Sequence, residues 1–155
     1  MVINFADESV IYGERSIFLA GPTLRNSYFD KSWRKFACDY LRDKGFDGIV
    51  YVPEHKFDRV QYVLDSQFGW ERNALMHSKV ILFNLCRTFP ELPGFTTNVE
   101  FGTYTSKKPK DCIVCSPEGA EKNGYLELLY LEEYPDGIIY RKLEEALDAA
   151  IKAVG

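Results

Sequence analysis

Val80-Ile81-Leu82-Phe83-Asn84 is an uninterrupted apolar run ending on an amide, and Leu92-Pro93-Gly94-Phe95-Thr96-Thr97-Asn98-Val99-Glu100-Phe101-Gly102 follows it. The first stretch predicts a strand buried on both faces, as in the middle of a parallel sheet. The second predicts a loop and then a helix from about Asn98 to Ser106. A carboxylate one turn into a helix, just past a central strand, sits at the edge where open α/β sheets bind ligands. The positive end of the helix dipole is expected to favour the ionised form of Glu100. An ionised, positioned glutamate can act as a nucleophile or as an electrostatic stabiliser.

Working outward, strand and helix patterns alternate from Ser16 to the end. Ser16-Ile17-Phe18-Leu19-Ala20 is a strand stopped by Gly21-Pro22. Asp30 is placed to cap the next helix, in which Trp33, Phe36, Ala37, Tyr40 and Leu41 recur at helical spacing before Gly45. Gly48 to Pro53 reads as the second strand, and Ser66 or Asp65 as the cap of a helix reaching His77. After the third strand, Val80 to Asn84, come Asp111 to Cys115 and Gly137 to Tyr140 as the fourth and fifth. Asn123 to Glu133 is a Leu-rich helix, and Leu143 to Val154 carries an apolar stripe. Five strands alternating with five helices imply a doubly wound α/β sandwich, flavodoxin- or Rossmann-like, with a five-stranded parallel sheet covered on both faces. Residues 1–15 are read as an arm or a weak extra strand.

The chain has 155 residues, which suits a single domain over 1–155. Hydrophobic residues make up 46% and charged residues 27%, the balance of a soluble globular protein, and no apolar run is long enough to span a bilayer. The first residues lack the basic start and apolar core of a signal peptide, so a cytoplasmic protein is expected. A net charge of −4 with no basic stripe argues against nucleic acid as a partner. Lys107-Lys108-Pro109-Lys110 reads as a solvated turn. Of the four cysteines, Cys112 and Cys115 have C-x-x-C spacing, but they fall inside a strand and have no second ligand pair. Core packing explains them better than zinc or redox chemistry.

Four pieces converge on the ligand edge. Gly21-Pro22-Thr23 follows the first strand, with Arg25, Asn26 and Ser27 beyond. Gly21 would let a ligand approach the backbone, and Arg25 and Ser27 could hold a phosphate or a sugar hydroxyl. It is neither a dinucleotide fingerprint nor a Walker loop, and an ordinary Gly-Pro turn explains it equally well. Gln67 and Glu71, four residues apart, share a helix face, although a solvated helix carboxylate is the simpler explanation of Glu71 taken alone. Trp70 points instead with Ala74 and His77 toward packing. Thr97-Asn98-Val99-Glu100 has a competing explanation as a capping box, with Glu100 closing back on Thr97. Asn84 could donate to a ligand or simply end its strand. Two long loops, about Glu54 to Asp65 and Leu85 to Thr97, add Phe57, Tyr62, Phe89 and Phe95. His55 and His77 are poor catalysts by position. Paired carboxylates with aromatics suit glycosyl chemistry, in which one carboxylate attacks or stabilises an oxocarbenium-like centre and a flat leaving group stacks on the rings.

This pattern resembles the nucleoside 2-deoxyribosyltransferase family, in its small, divergent deoxyribosyltransferase-like branch. The resemblance runs over about residues 16 to 150. It rests on Phe18 to Thr23, Trp33-Arg34, Val52-Pro53-Glu54, Gln67 with Trp70-Glu71, Ser78 to Phe83, Thr97 to Gly102, and Cys115 to Gly119. It implies a five-stranded parallel sheet and cleavage of the N-glycosidic bond of a 2-deoxyribonucleoside through a covalent deoxyribosyl-glutamate. A second base, or water, then takes the sugar. By position Glu100, in its E-x-G setting, matches the nucleophile. Glu71 matches an acidic residue near the base or sugar, and Gly21 the first-strand glycine of the pocket. Pro22, Thr23, Arg25, Gln67, Asn84, Phe95 and Asn98 complete the expected substrate contacts. Asn98 stands where the family usually has an acidic residue, and Glu71 where it usually has Asp. Arg25 and Ser27 resemble, at a different spacing, the phosphate-holding residues of related deoxynucleoside 5′-monophosphate hydrolases. The expected ligand is therefore a small nucleoside or nucleotide, with no cofactor or metal, in a homodimer or higher homo-oligomer. Hydrolysis of a nucleotide N-glycoside and a catalytically silent nucleotide-binding module are the two alternatives.

Overall fold

The computed structural model describes residues 1–24, 29–56 and 64–155. Among the described residues six parallel strands form one sheet: β1 (Val2–Phe5), β2 (Ser16–Ala20), β3 (Ile49–Val52), β4 (Val80–Asn84), β5 (Cys112–Cys115) and β6 (Ile139–Tyr140). Their spatial order is β1-β3-β2-β4-β5-β6. Among the same described residues five α-helices flank the sheet: α1 (Trp33–Asp43), α2 (Leu64–His77), α3 (Phe95–Lys107), α4 (Gly124–Glu133) and α5 (Leu143–Val154). The doubly wound α/β class is as the sequence predicts. The strand count is not, because Val2–Phe5 is a sixth strand, paired in parallel with β3 from Val2↔Ile49 to Phe5↔Val52. It is short and exposed at its start, so it carries little of the alternation that reveals a strand. Its end is fixed by Ala6 N donating to Glu54 O at 3.0 Å.

Successive strand residues point to opposite faces, and that periodicity divides the core. Ile17, Leu19, Val80 and Leu82 face α1 and α5, packing on Ala37, Leu41, Ala146 and Ala150. Phe18, Ala20, Ile81 and Phe83 face the other helices, packing on Trp70, Ala74, Phe101 and Tyr130. Fully burying a large apolar side chain stabilises by about 1.5–3 kcal/mol. The wholly buried central strands β2 and β4 therefore anchor the fold. Cys112 and Cys115, three apart, fall on opposite faces of the sheet, each free and buried. Burial pushes both thiols up to about 12, so they stay protonated and inert.

Several element ends differ from expectation, each for a local reason. Ser32, not Asp30, caps α1, its side chain accepting from Arg34 N, while Asp30 lies in a short 3-10 turn. Residues 65 and 66 lie inside α2 rather than capping it. Helix α3 begins at Phe95, three residues earlier than predicted, because Gly94 takes a left-handed conformation (φ 63°) and caps it through backbone alone. The first helical bond, Asn98 N to Gly94 O, follows from that start.

Gly21 and Gly94 are the two glycines on which the ligand edge depends. Gly21 has φ 153°, and a Cβ there would lie 2.5 Å from Asn84 O and 2.9 Å from the Trp33 ring. A Cβ on Gly94 would lie 2.9 Å from Pro22 Cγ. The loops after β2 and β4 thus pack backbone against backbone. Gly21→Ala is expected to lower stability by at least about 1–3 kcal/mol, since the strain of φ adds to a clash with a main-chain oxygen. Urea unfolding measures this, and an unchanged midpoint would show that the loops are not held this closely.

Candidate active site

Strands β3-β2-β4-β5-β6 follow the flavodoxin-type order, and the direction of winding reverses between β2 and β4. At the carboxyl ends of this pair lies a cleft of about 320 Å³. Its walls include Gly21, Pro22 and Thr23 after β2, Gln67, Phe68 and Glu71 on α2, and Gly94 through Thr97 with Glu100 on α3. Arg34 of α1 and Pro53 after β3 complete the lining. A second cavity of about 560 Å³, lined by Leu24, Phe89, Pro90, Glu91, Pro93 and Phe95, shares Pro93 and Phe95 with the cleft.

The early start of α3 decides how Glu100 is read. Thr97 is the third helical residue and is buried, so it is not the N-cap and Glu100 closes no capping box on it. Glu100 lies in the second turn and lines the cleft beside Glu71. Burial first, and the neighbouring Glu71 carboxylate second, push its carboxyl up to about 8, with Arg34 pulling it back. The expected ionisation by the helix dipole is therefore overturned. That dipole fades within the first turn, whereas desolvation acts on the whole group. The protonated form of Glu100 is thus favoured well beyond that of a free glutamate.

Glu71 is oriented from its own helix. Gln67 Nε2 donates to Glu71 Oε1 at 2.7 Å, as their shared face predicts. Gln67 Oε1 is buried without a hydrogen-bond partner, an acceptor left over in the cleft wall. Thr23 accepts from Arg34 Nη1 at 2.9 Å, and Pro22 O accepts from Trp33 Nε1 at 3.0 Å.

Not every expected residue reaches the cleft. Asn84 is buried behind Gly21 and does not line it. Asn98 accepts a hydrogen bond from Arg87 and is likewise absent from the lining. Gly21 serves the close approach of Asn84 and Trp33 as well as forming the cleft floor. Phe95 lines both cavities and Phe89 the second. Trp70 packs against Phe18 and Tyr51 as expected, whereas His77 is exposed. Arg25, Ser27, Phe57 and Tyr62 lie outside the described residues. Sequence reasoning passed over Phe68 and Arg34 as cleft residues. Phe68 stands between Gln67 and Glu71 in the same first turns, a usable signal. A charged residue in a helix reads as surface, so nothing marked Arg34 as buried.

Among the described residues, no helix is long and apolar enough to cross a membrane. The family model for nucleoside 2-deoxyribosyltransferase-like proteins matches residues 14–120, most of the chain. The chain belongs to that family. The match runs from the residues just before β2 to the loop after β5 and so includes Gly21, Arg34, Glu54, Glu71 and Glu100. A comparison with the curated proteins returns no match.

Removing the Glu71 charge is expected to lower the carboxyl pKa of Glu100 from about 8, because loss of a like charge favours the ionised form. Carbon-13 NMR titration of Glu71→Gln, with Glu100→Gln to assign the resonance, measures the shift. A Glu100 midpoint that stays in place would show that the two carboxylates do not sense one another.

Proposed function

We propose that the protein cleaves the N-glycosidic bond of a 2-deoxyribonucleoside and passes the sugar to a second base, with Glu100 as nucleophile. The observation that carries this reading is that carboxylates from two neighbouring helices line one cleft at the switch point of the sheet. A carboxylate oxygen of Glu100 bonds to C1′ as the C1′–N bond breaks. The electron pair of that bond leaves with the base nitrogen, which gains a proton. Glu71, held by Gln67, positions the sugar or, once it has taken the proton that Glu100 gives up, passes that proton to the base nitrogen. The nitrogen of an incoming base then attacks C1′, and Glu100 departs as a carboxylate. Water in its place would release free deoxyribose, so product analysis with and without added base separates transfer from hydrolysis.

The leaving base has a place in this scheme. Phe95 forms the wall common to the cleft and the second cavity, with Phe89 beyond it. A flat ring stacked there leaves its sugar beside the carboxylates. Exposed Val99 on α3 and Tyr125 and Leu128 on α4 support self-association through this helix layer as part of the same proposal.

One observation favours a competing assignment. A carboxyl with a pKa of about 8 is a proton donor at neutral pH. In that assignment Glu100 protonates the leaving base and Glu71 attacks the sugar. The pH profile distinguishes the two. With Glu100 as nucleophile, kcat/KM for base release rises with pH and levels off above about 8, as the carboxyl ionises. With Glu100 as the acid, it falls through the same range. Glu100→Gln is expected to reduce base release by at least about a thousandfold, the order seen when a nucleophile is removed. Its unfolding curve should remain cooperative. Activity retained in that variant would overturn the assignment.

A further inference from the structure

Arg34 is the largest of the fully buried side chains, at 1% exposure, and its guanidinium is held on several sides. Nε donates to Leu19 O at 2.8 Å and Nη2 to Gly21 O at 2.6 Å. Nη1 donates to Thr23 Oγ1 at 2.9 Å and to Glu54 Oε1 at 2.5 Å. Ser32, the α1 cap, also donates to Glu54 Oε1, at 2.6 Å. The pair is directional toward the cleft: Arg34 lines it and Glu54 does not. The buried ion pair thus presents its positive end to the cavity that contains Glu71 and Glu100.

We propose that Arg34 is a positioning residue for Glu100: the guanidinium that shapes the Gly21–Thr23 turn also supplies the cleft with the counter-charge against which Glu100 works. The role rests on the glycosyl-transfer reading. A cation does not stabilise an electron-poor sugar directly, so Arg34 acts through the carboxylate. Three further charged or titratable groups bear on Glu100 or its surroundings. Glu71 on α2 opposes its ionisation, while Tyr104 on α3, its phenol pushed up first by burial, feels the opposing charges of Arg72 on α2, which lowers it, and of Glu100, which raises it. Glu100 feels Arg34 as the favourable charge, set against burial and Glu71. Because both members of the ion pair are buried, deleting one would leave the other uncompensated. The informative change removes both charges and keeps hydrogen-bonding amides in their place.

Arg34→Gln combined with Glu54→Gln is the principal variant, and Arg34→Lys is the conservative one. Carbon-13 NMR titration follows Glu100 in each, and base release is measured across the same pH range. In the double variant the Glu100 midpoint is expected to rise by about half a pH unit or more, and the pH profile of base release to move with it. Arg34→Lys, which keeps the charge, should hold the midpoint near that of the parent protein. A double variant that unfolds cooperatively with an unmoved Glu100 midpoint would overturn the proposal and leave Arg34 as a purely structural clamp. Should Arg34→Lys alone fold, a midpoint displaced as far as expected for the neutral pair would equally overturn it. If the parent protein releases no base, the glycosyl-transfer reading fails while the titration still decides whether Arg34 sets the ionisation of Glu100.

Discussion

The buried pair of Arg34 and Glu54 is the constraint on which the ligand edge depends. It ties the end of β2, the start of α1 and the end of β3 at one point. Taking two charges out of water costs several kcal/mol each, and mutual attraction offsets this only when other hydrogen bonds complete the site. Here Leu19 O, Gly21 O, Thr23 and Ser32 do so, although Glu54 Oε2 remains without a partner. The arrangement is costly as a source of stability. It makes sense as a way to fix the backbone of a turn that must be in one place. Gly21 then brings that turn onto Asn84, and Pro22 meets Gly94, so the loops after the two central strands are fixed relative to each other.

That fixed edge places two acid groups in one half-buried cleft. Glu71 and Glu100 approach from adjacent helices, and the same burial that shapes the cleft makes the charge on Glu100 costly. On the proposed reading, a carboxyl of this kind is a weak nucleophile while protonated and becomes competent when it loses its proton. Its reactivity is thus linked to whatever else enters or charges the cleft. The geometry therefore connects the packing of the fold to the chemistry through a single carboxyl group.

Much of this was legible in the residues. Val80 to Phe83 is apolar at every position because β4 is buried on both faces, and the stretch that follows it does begin a helix bearing the central carboxylate. The spacing of Gln67 and Glu71 correctly put them in contact. Other features escaped for physical reasons. Gly94 caps α3 with its backbone, so the side-chain signal at Thr97 pointed to a false start. Arg34 looks like any helix-surface arginine until its partners are brought in from distant strands. Asn84 and Asn98 have the right chemistry, but Asn84 is buried at the end of β4 and Asn98 is taken up by Arg87, and no local pattern encodes either outcome. The raised pKa of Glu100 depends on burial, which spacing alone does not report.

The most direct test of the central claim is intact-protein mass spectrometry after brief incubation with 2-deoxyribonucleosides, followed by peptide mapping. The account predicts a population heavier by one deoxyribosyl group, carried on the peptide containing Glu100 and discharged when a second base is added. An adduct on the peptide containing Glu71 would contradict it, as would steady base release with no adduct at Glu100 under rapid acid quench.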